Sequence, residues 1–197
     1  IIVAGEPYST FLEIFFKSLK SKVIKKFPII MIASKQNLVG QMKKLKYNYK
    51  ILLIDKTNIN KIKPSQKIIH LINVDFKKKK IIDKISSSSK KYIEECFKKG
   101  MQLIKQKKGI ALINGPISKK YFLNKKYPGV TEYLADKTNK FNEEVMLIYN
   151  DKLSVSPITT HLPLKNIFKN ISIKKITKKV STINNFYKNK LNKKAKF

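Results

Sequence analysis

Residues 109–164 read GIALINGPISKKYFLNKKYPGVTEYLADKTNKFNEEVMLIYNDKLSVSPITTHLPL. The apolar run at residues 110–113 predicts a buried strand, which ends in a Gly-Pro turn and leads into a short helix. The apolar run at residues 145–149 predicts a second strand, and the stretch closes on TTHLPL. Most of its polar side chains follow a predicted strand. Because ligands bind beyond the carboxyl ends of strands in open α/β sheets, we expect the functional site here.

The part of the chain before this stretch alternates short apolar runs with amphipathic segments. Four more strands are predicted, at residues 1–4, 28–33, 51–54 and 68–74. Thr10 and Glu13 have the spacing of a capping box at the start of the first helix, and Ser34 can cap the second. This alternation predicts an α/β fold in which helices cover a mostly parallel sheet. By contrast, residues 76–89, with the lysine run Lys77–Lys80 and a serine run, predict a solvated loop.

The charge of the chain is extreme, with 44 basic residues against 12 acidic ones and a net charge of +32. One interpretation is a nucleic-acid-binding domain. However, all the basic residues are lysines, which are scattered over every segment and accompanied by many Ile and Asn residues. Because base readout favours Arg, and no stripe of aromatic and basic residues is present, we favour a lysine-coated surface over this alternative.

The compartment is predicted from what the chain lacks. Its longest apolar run, residues 27–33, is far shorter than the roughly 18 residues of a membrane span. The opening residues lack the charged-then-apolar pattern of a leader, so we expect no signal peptide, and the single cysteine, Cys96, excludes an internal disulfide. We therefore expect a cytoplasmic protein. Cys96 lies on the apolar face of a predicted helix and His70 lies in an apolar run, so we interpret both as structural residues.

Four positions in residues 109–164 carry groups suited to chemistry. Gly115 with Pro116 leaves room for a ligand near the backbone, and Lys119 follows one turn later, where it can meet a phosphate. Thr131 can bind a phosphate or cap a helix. His161 can bind a metal or act as an acid or base, although a lone histidine is often structural. Metal sites normally need three or four ligands, so these residues alone name no reaction.

Three motifs in this order are more specific than any one of them: ALINGPISKK at residues 111–120, PGVTEYLADKT at 128–138 and SPITTHLPLKNI at 156–167. Together they resemble the 4-hydroxythreonine-4-phosphate dehydrogenase family of vitamin B6 (pyridoxal phosphate) biosynthesis. Gly5-Glu6-Pro7, after the first predicted strand, also matches the opening of that family. The resemblance covers only the first half of the family. It therefore divides the chain into an α/β domain at residues 1–171 and a C-terminal helix with a lysine-rich tail at residues 172–197, where the chain is apparently truncated.

The resemblance implies an incomplete α/β/α sandwich similar to isocitrate and isopropylmalate dehydrogenases. Family members are NAD-dependent homodimers that use a divalent metal (zinc, magnesium or cobalt) to oxidise and decarboxylate a small phosphorylated amino acid. Carried over by motif, His161 falls on a metal-ligand position, and Thr131 and Lys119 fall on or near substrate-binding positions. The resemblance identifies no catalytic or NAD-binding residue in this chain.

Two departures from the family pattern concern the site. Val130 stands where the family has a histidine, and valine cannot form the corresponding hydrogen bond. The segment Tyr8–Phe11 is bulkier than the glycine-bearing segment of the family. The family's second half, with two further metal histidines, lies outside this sequence, so we do not expect this chain to catalyse alone. A non-catalytic, divergent relative is the alternative interpretation.

Overall fold

The structure is a computed structural model that describes residues 1–55, 57–76 and 83–197. It divides into two compact units, Ile1–Lys125 and Lys126–Phe197. The division of the chain at residue 171, which the resemblance implies, stays a prediction. Among the helices in the described ranges, none is long and apolar enough to cross a membrane.

The first unit contains a five-stranded sheet in which every pair of neighbouring strands is parallel. Its strands are β1 (Ile2–Val3), β2 (Ile30–Ala33), β3 (Lys50–Leu53), β4 (Ile68–Asn73) and β5 (Ile113–Asn114). Their order is β3-β4-β2-β1-β5, so Ile2 lies opposite Met31 on one side and Ile113 on the other. The predicted parallel α/β fold is therefore confirmed.

Helices α1 (Phe11–Ser18) and α2 (Lys35–Lys44) belong to the main core of this unit. That core joins their apolar side chains to side chains of β1, β2 and β4, among them Leu12, Phe16, Met31, Leu38 and Leu71. The predicted cap of α2 is confirmed, because the Ser34 hydroxyl accepts a hydrogen bond from the Asn37 amide at 3.3 Å. These contacts fix the helices that follow β1 and β2.

The predicted capping box at the start of α1 is wrong. Thr10 precedes the helix, but its side chain makes no capping hydrogen bond. Instead, the Ser9 hydroxyl accepts a bond from the Phe11 amide at 3.3 Å and donates one to the Glu6 carbonyl at 2.7 Å. Glu13 pairs with Lys17 one turn later. Ser9, one position before Thr10, forms the hydrogen bond at the start of the helix because the turn after Glu6 places its hydroxyl near the Phe11 amide.

Helix α3 (Lys90–Lys105) buries Ile93, Cys96 and Phe97. Burial raises the pKa of the Cys96 thiol to about 12, so the prediction that Cys96 is a core residue is confirmed. His70 in β4 is 7% exposed, and its burial lowers the pKa of its imidazole. The structural interpretation of His70 is confirmed as well.

The segment before α3 is only partly described. Lys77–Lys80 of the predicted loop lie outside the described residues. The serine run forms a helical turn at Ser87–Ser89, and Ser89 is buried, with its hydroxyl donating to the Glu6 carboxylate at 2.8 Å. The prediction of a solvated loop is therefore wrong for Ser89, because a buried carboxylate from β1's end needs a donor.

Two of the predicted strands differ from the structure. Strand β5 is short and exposed, and Ile110, predicted to be buried in it, is 94% exposed. Residues 145–149 form no strand: their one bridge joins Ile148 to Val155 in antiparallel fashion. Both errors have one cause, because an apolar run becomes a buried strand only where neighbouring strands supply hydrogen bonds along it.

The second unit is mainly helical, with α4 (Val130–Lys137), α5 (Ile167–Asn170) and α6 (Ile173–Phe186). The Ser172 hydroxyl accepts from the Lys175 amide at 3.3 Å and caps α6, as its position predicts. Large apolar side chains remain exposed along its final segments, including Leu164, Phe168 and Ile173. Within α6, Ile183 alone is buried.

Candidate functional site

The carboxyl ends of β1 and β5 are joined backbone to backbone. The Gly115 amide donates to the Val3 carbonyl at 2.7 Å, and the Glu6 amide donates to the Pro116 carbonyl at 2.8 Å. A Cβ on Gly115 would lie 2.1 Å from the Ala4 carbonyl oxygen. The space beside the Gly115 Cα is therefore occupied by the protein's own backbone. This corrects the prediction that Gly115 leaves room for a ligand.

Lys119 begins a single π-helical turn, Lys119–Leu123, and is exposed. The turn is fixed by Ser118, whose hydroxyl accepts from the Tyr121 amide at 3.2 Å. Lys119 belongs to the first compact unit, whereas Thr131 and His161 belong to the second. The pairing of Lys119 with those two residues in one site stays a prediction.

Thr131 lies in the first turn of α4 and is exposed. It is not the helix cap, because Gly129 holds that position and α4 begins at Val130. The first hydrogen bond within the helix runs from the Tyr133 amide to the Gly129 carbonyl at 3.2 Å. The amides of residues 130–132 therefore point out of the helix, where the positive end of its dipole favours an anion.

His161 is exposed and has a left-handed backbone conformation, with φ of 57°. Its imidazole approaches the start of α4: a Cβ on Gly129 would lie 3.5 Å from Nε2 and 3.9 Å from Cδ2 of His161. The same Cβ would lie 2.9 Å from Oε2 of Glu132. The structure thus brings His161 to the turn that carries Thr131.

Glu132 is the residue that the sequence analysis missed. Its Oε1 accepts a long hydrogen bond of 3.5 Å from the Thr160 hydroxyl. Its Oε2 is buried and has no hydrogen-bond partner among the described residues. A glutamate three positions after an N-cap is usually interpreted as half of a capping box. The pattern Gly129-x-x-Glu132 therefore does not indicate any other role for Glu132.

These residues fit the edge of a cation site but not a complete one. The described ranges contain no group of three or more His, Cys, Asp or Glu side chains that could hold a metal ion. His161 offers one imidazole, and Glu132 offers a carboxylate oxygen that lacks a partner. Since structural and catalytic metal sites use three or four ligands, two residues would hold a divalent ion weakly.

An open cleft of about 740 Å³ borders this group within the second unit. Its lining includes Glu132, Thr160, Lys126, Lys175 and Lys179. Glu143 at its rim pairs with Lys140 and Lys178, which lowers the pKa of its carboxyl. The cleft has the size of a small-molecule site and presents several cationic side chains to an anionic ligand.

A parallel α/β unit followed by a helical unit with a histidine-bearing turn matches one family over most of the chain. The family model described as pyridoxal phosphate biosynthetic protein PdxA matches residues 25–196. This chain belongs to that family, which confirms the resemblance of its three motifs.

Individual relatives agree with this assignment. A 4-hydroxythreonine-4-phosphate dehydrogenase of Sulfurihydrogenibium sp. is 30% identical over 191 residues, which are 96% of this chain and 58% of the relative. A D-threonate 4-phosphate dehydrogenase of Salmonella typhimurium is 24% identical, with 95% of this chain and 58% of the relative covered. The chain thus spans little more than half the length of these relatives.

The fold is also found in solved structures. The crystal structure of a 4-hydroxythreonine-4-phosphate dehydrogenase from Burkholderia phymatum has a TM-score of 0.81 to this chain at 21% identity. The similarity covers 93% of this chain and 56% of the other. The predicted α/β class, as an incomplete version of this fold, is confirmed.

Proposed function

We propose that this chain is the front part of an NAD-dependent, metal-assisted dehydrogenase that oxidises and decarboxylates 4-hydroxythreonine 4-phosphate in pyridoxal phosphate biosynthesis. The observation that carries the proposal is the family match over residues 25–196. It is supported by the approach of His161 and Glu132 at Gly129, in the turn that also bears Thr131. The homodimer that the resemblance implies and the cytoplasmic location that the composition predicts are part of the same proposal.

Thr131 is the proposed substrate ligand. Its amide and hydroxyl lie at the positive end of α4, where a phosphate is stabilised by unpaired N–H groups and the helix dipole. Lysines of the adjacent cleft add positive charge. A small phosphorylated amino acid suits these groups. Lys119, in a loop that the resemblance implies lies near the substrate pocket, is the proposed further substrate ligand.

His161 is the proposed metal ligand, and it would share the ion with residues outside the described group. When bound, a divalent ion such as zinc, magnesium or cobalt would polarise the substrate hydroxyl, and NAD would accept the hydride. The part of His161 is to present one imidazole nitrogen near the substrate's end of α4. Because the chain spans 58% of its relatives, we do not expect turnover from these 197 residues alone.

Val130 favours a second candidate, a non-catalytic relative. It is the first residue of α4 and lies beside Thr131, where the family has a hydrogen-bonding histidine. Losing that histidine removes a contact of about 1 kcal/mol, which weakens substrate binding roughly fivefold. If substrate binding has been abandoned altogether, restoring that side chain will not recover it.

Binding is tested by following the backbone amide spectrum of the labelled chain. It is titrated with 4-hydroxythreonine 4-phosphate and with D-threonate 4-phosphate, each with and without Zn²⁺. We expect one of them to shift the amides of residues 130–132. Thr131→Ala should abolish these shifts, whereas Thr138→Ala, at the other end of α4, should retain them. The proposed site would be refuted if neither compound shifts these amides, or if the shifts survive Thr131→Ala.

Two further variants separate the candidates. If the chain still binds substrate, Val130→His should tighten binding of the accepted compound about fivefold. It should change nothing in a non-catalytic relative. Lys119→Ala should weaken binding, while Lys120→Ala, its exposed neighbour, should leave binding unchanged.

A further inference from the structure

Tyr127, just before the turn that leads into α4, is bound to that helix through its side chain. Its hydroxyl donates a hydrogen bond to the carboxylate of Asp136, nine positions later and in the last turn of α4. Its ring meets the ring of Tyr133 edge to face, with 5.5 Å between the centroids and 82° between the planes. Tyr127 therefore contacts two side chains three positions apart, which lie on one face of α4.

The start of α4 lacks a side-chain cap. Gly129 is the N-cap and offers no side-chain hydrogen bond to the first turn. A serine, threonine or aspartate at this position would stabilise the helix, but it would also occupy an amide that a phosphate needs. The bond between Tyr127 and Asp136 constrains the same turn from its other side. It leaves the amides of residues 130–132 available to a ligand.

This constraint matters because α4 is only eight residues long. A helix of that length is marginal in water without further contacts, and its uncapped first turn is the part that opens most easily. A hydrogen bond to a carboxylate contributes more than one between neutral groups. The other partner of Asp136 is Lys137, whose Nζ is 3.8 Å from Oδ2, and a half-exposed ion pair of this kind contributes little.

We infer that Tyr127 is a positioning residue for the substrate's end of α4: its bond to Asp136 holds the Pro128-Gly129 turn against the helix, so that the amides of residues 130–132 keep one arrangement before a phosphate arrives. A binding group that is already ordered loses less entropy on binding, and its affinity is higher for that reason. The inference rests on the proposed role of Thr131 as a substrate ligand. It adds the pair of side chains that keeps the ligand's turn in place.

Amide hydrogen exchange tests the inference without ligand. The Tyr133 amide donates to the Gly129 carbonyl, so its exchange rate reports the opening of the first turn. Tyr127→Phe removes only the hydroxyl, and it should speed this exchange about two- to tenfold. Tyr149→Phe is the matched control, because it removes a tyrosine hydroxyl that donates to Asp151 at 2.7 Å in the same unit. It should leave the exchange of the Tyr133 amide unchanged.

Ligand binding supplies the second readout. The chain is titrated with 4-hydroxythreonine 4-phosphate, or with D-threonate 4-phosphate if the parent chain binds only that compound. Tyr127→Phe and Asp136→Ala should each raise the dissociation constant about two- to tenfold. The double variant should be no weaker than either one, because both changes remove the same bond. Asp136→Asn keeps an acceptor oxygen and should bind almost as the parent chain does, which a general requirement for the charge at this position would not allow.

The outcomes separate the inference from the proposed function. Binding that is absent in the parent chain, or that survives Thr131→Ala, would overturn the proposed site and, with it, this inference. Binding that is lost in Thr131→Ala but keeps the parent's affinity in Tyr127→Phe and Asp136→Ala would overturn the positioning role alone. Additive effects of those two changes would do the same. If Tyr127→Phe does not fold, Asp136→Ala and Asp136→Asn decide the question from the other side of the bond.

Discussion

Gly5 and Gly115 face each other across the carboxyl ends of β1 and β5: a Cβ on Gly5 would lie 2.9 Å from the Gly115 carbonyl oxygen. It would lie only 2.4 Å from the carbonyl oxygen of Pro116. Gly5 also has φ of 73°, a left-handed conformation that favours glycine. The turns that follow the two strands are packed so closely that neither has room for a side chain.

Gly115→Ala should therefore destabilise the first unit by about 3 kcal/mol, as overpacking against backbone atoms does. The added Cβ meets the Ala4 carbonyl oxygen, which no side-chain rotation can move away. Gly40→Ala, in the interior of α2, is the matched control and should stabilise by about 0.5–1 kcal/mol. Urea unfolding of both variants measures the difference, and a similar effect of the two substitutions would contradict the packing described here.

The left-handed backbone of His161 predicts an unusual order of stabilities among its variants. His161→Gly should keep or raise the free energy of unfolding by up to about 1 kcal/mol, because glycine adopts this conformation without strain. His161→Val should lower it, because a branched Cβ is disfavoured there. Chemical unfolding of the pair is the measurement, and equal stabilities would show that the strain is absent.

His70 predicts a loss of stability on mild acidification. Burial lowers the pKa of its imidazole below the usual value of about 6.5, so the folded chain resists the proton that the unfolded chain accepts. The contribution is complete above pH 6.5 and declines as pH falls through that value toward the folded pKa. Unfolding free energies between about pH 7.5 and 5.5 test this.

The control for that measurement is His70→Gln, which removes the ionisable group. Its stability should be nearly flat over the same range. A slope that persists in His70→Gln would assign the pH dependence to another group.

Cys96 should be inert in the folded chain. Its thiol is fully buried and its pKa is raised to about 12, mainly by burial, so almost no thiolate forms near neutral pH. A thiol reagent should label Cys96 only at the rate of unfolding and rapidly in denaturant. Fast labelling under native conditions would show that α3 does not hold the thiol in the core.

Local signals in the sequence were read correctly where they act over a few residues. Ser34 and Ser172 cap α2 and α6 because a hydroxyl three residues before an unpaired amide reaches it whatever the rest of the fold does. The apolar composition of β2 and β4 predicts burial, and the prediction succeeds because each of these strands has neighbouring strands on both sides. The roles that the family motifs imply for His161 and Thr131 stay predictions.

Predictions failed where the outcome depends on a distant partner. Ile110 and residues 145–149 are as apolar as the central strands, but they lack the neighbouring strands that would bury them. Gly115 suggested a ligand's approach, and the space is taken by Ala4, which lies 111 positions earlier in the sequence. Periodicity carries no information about such neighbours.

The sequence by itself determined the family, the parallel α/β class and the caps of α2 and α6, because these follow from local spacing and from motifs of contiguous residues. Only the tertiary structure decided that Gly5 and Gly115 close one strand edge and that Glu132 and His161 both approach Gly129. The physical reason is that these approaches depend on how segments far apart in the sequence fold back on each other, which no short pattern specifies.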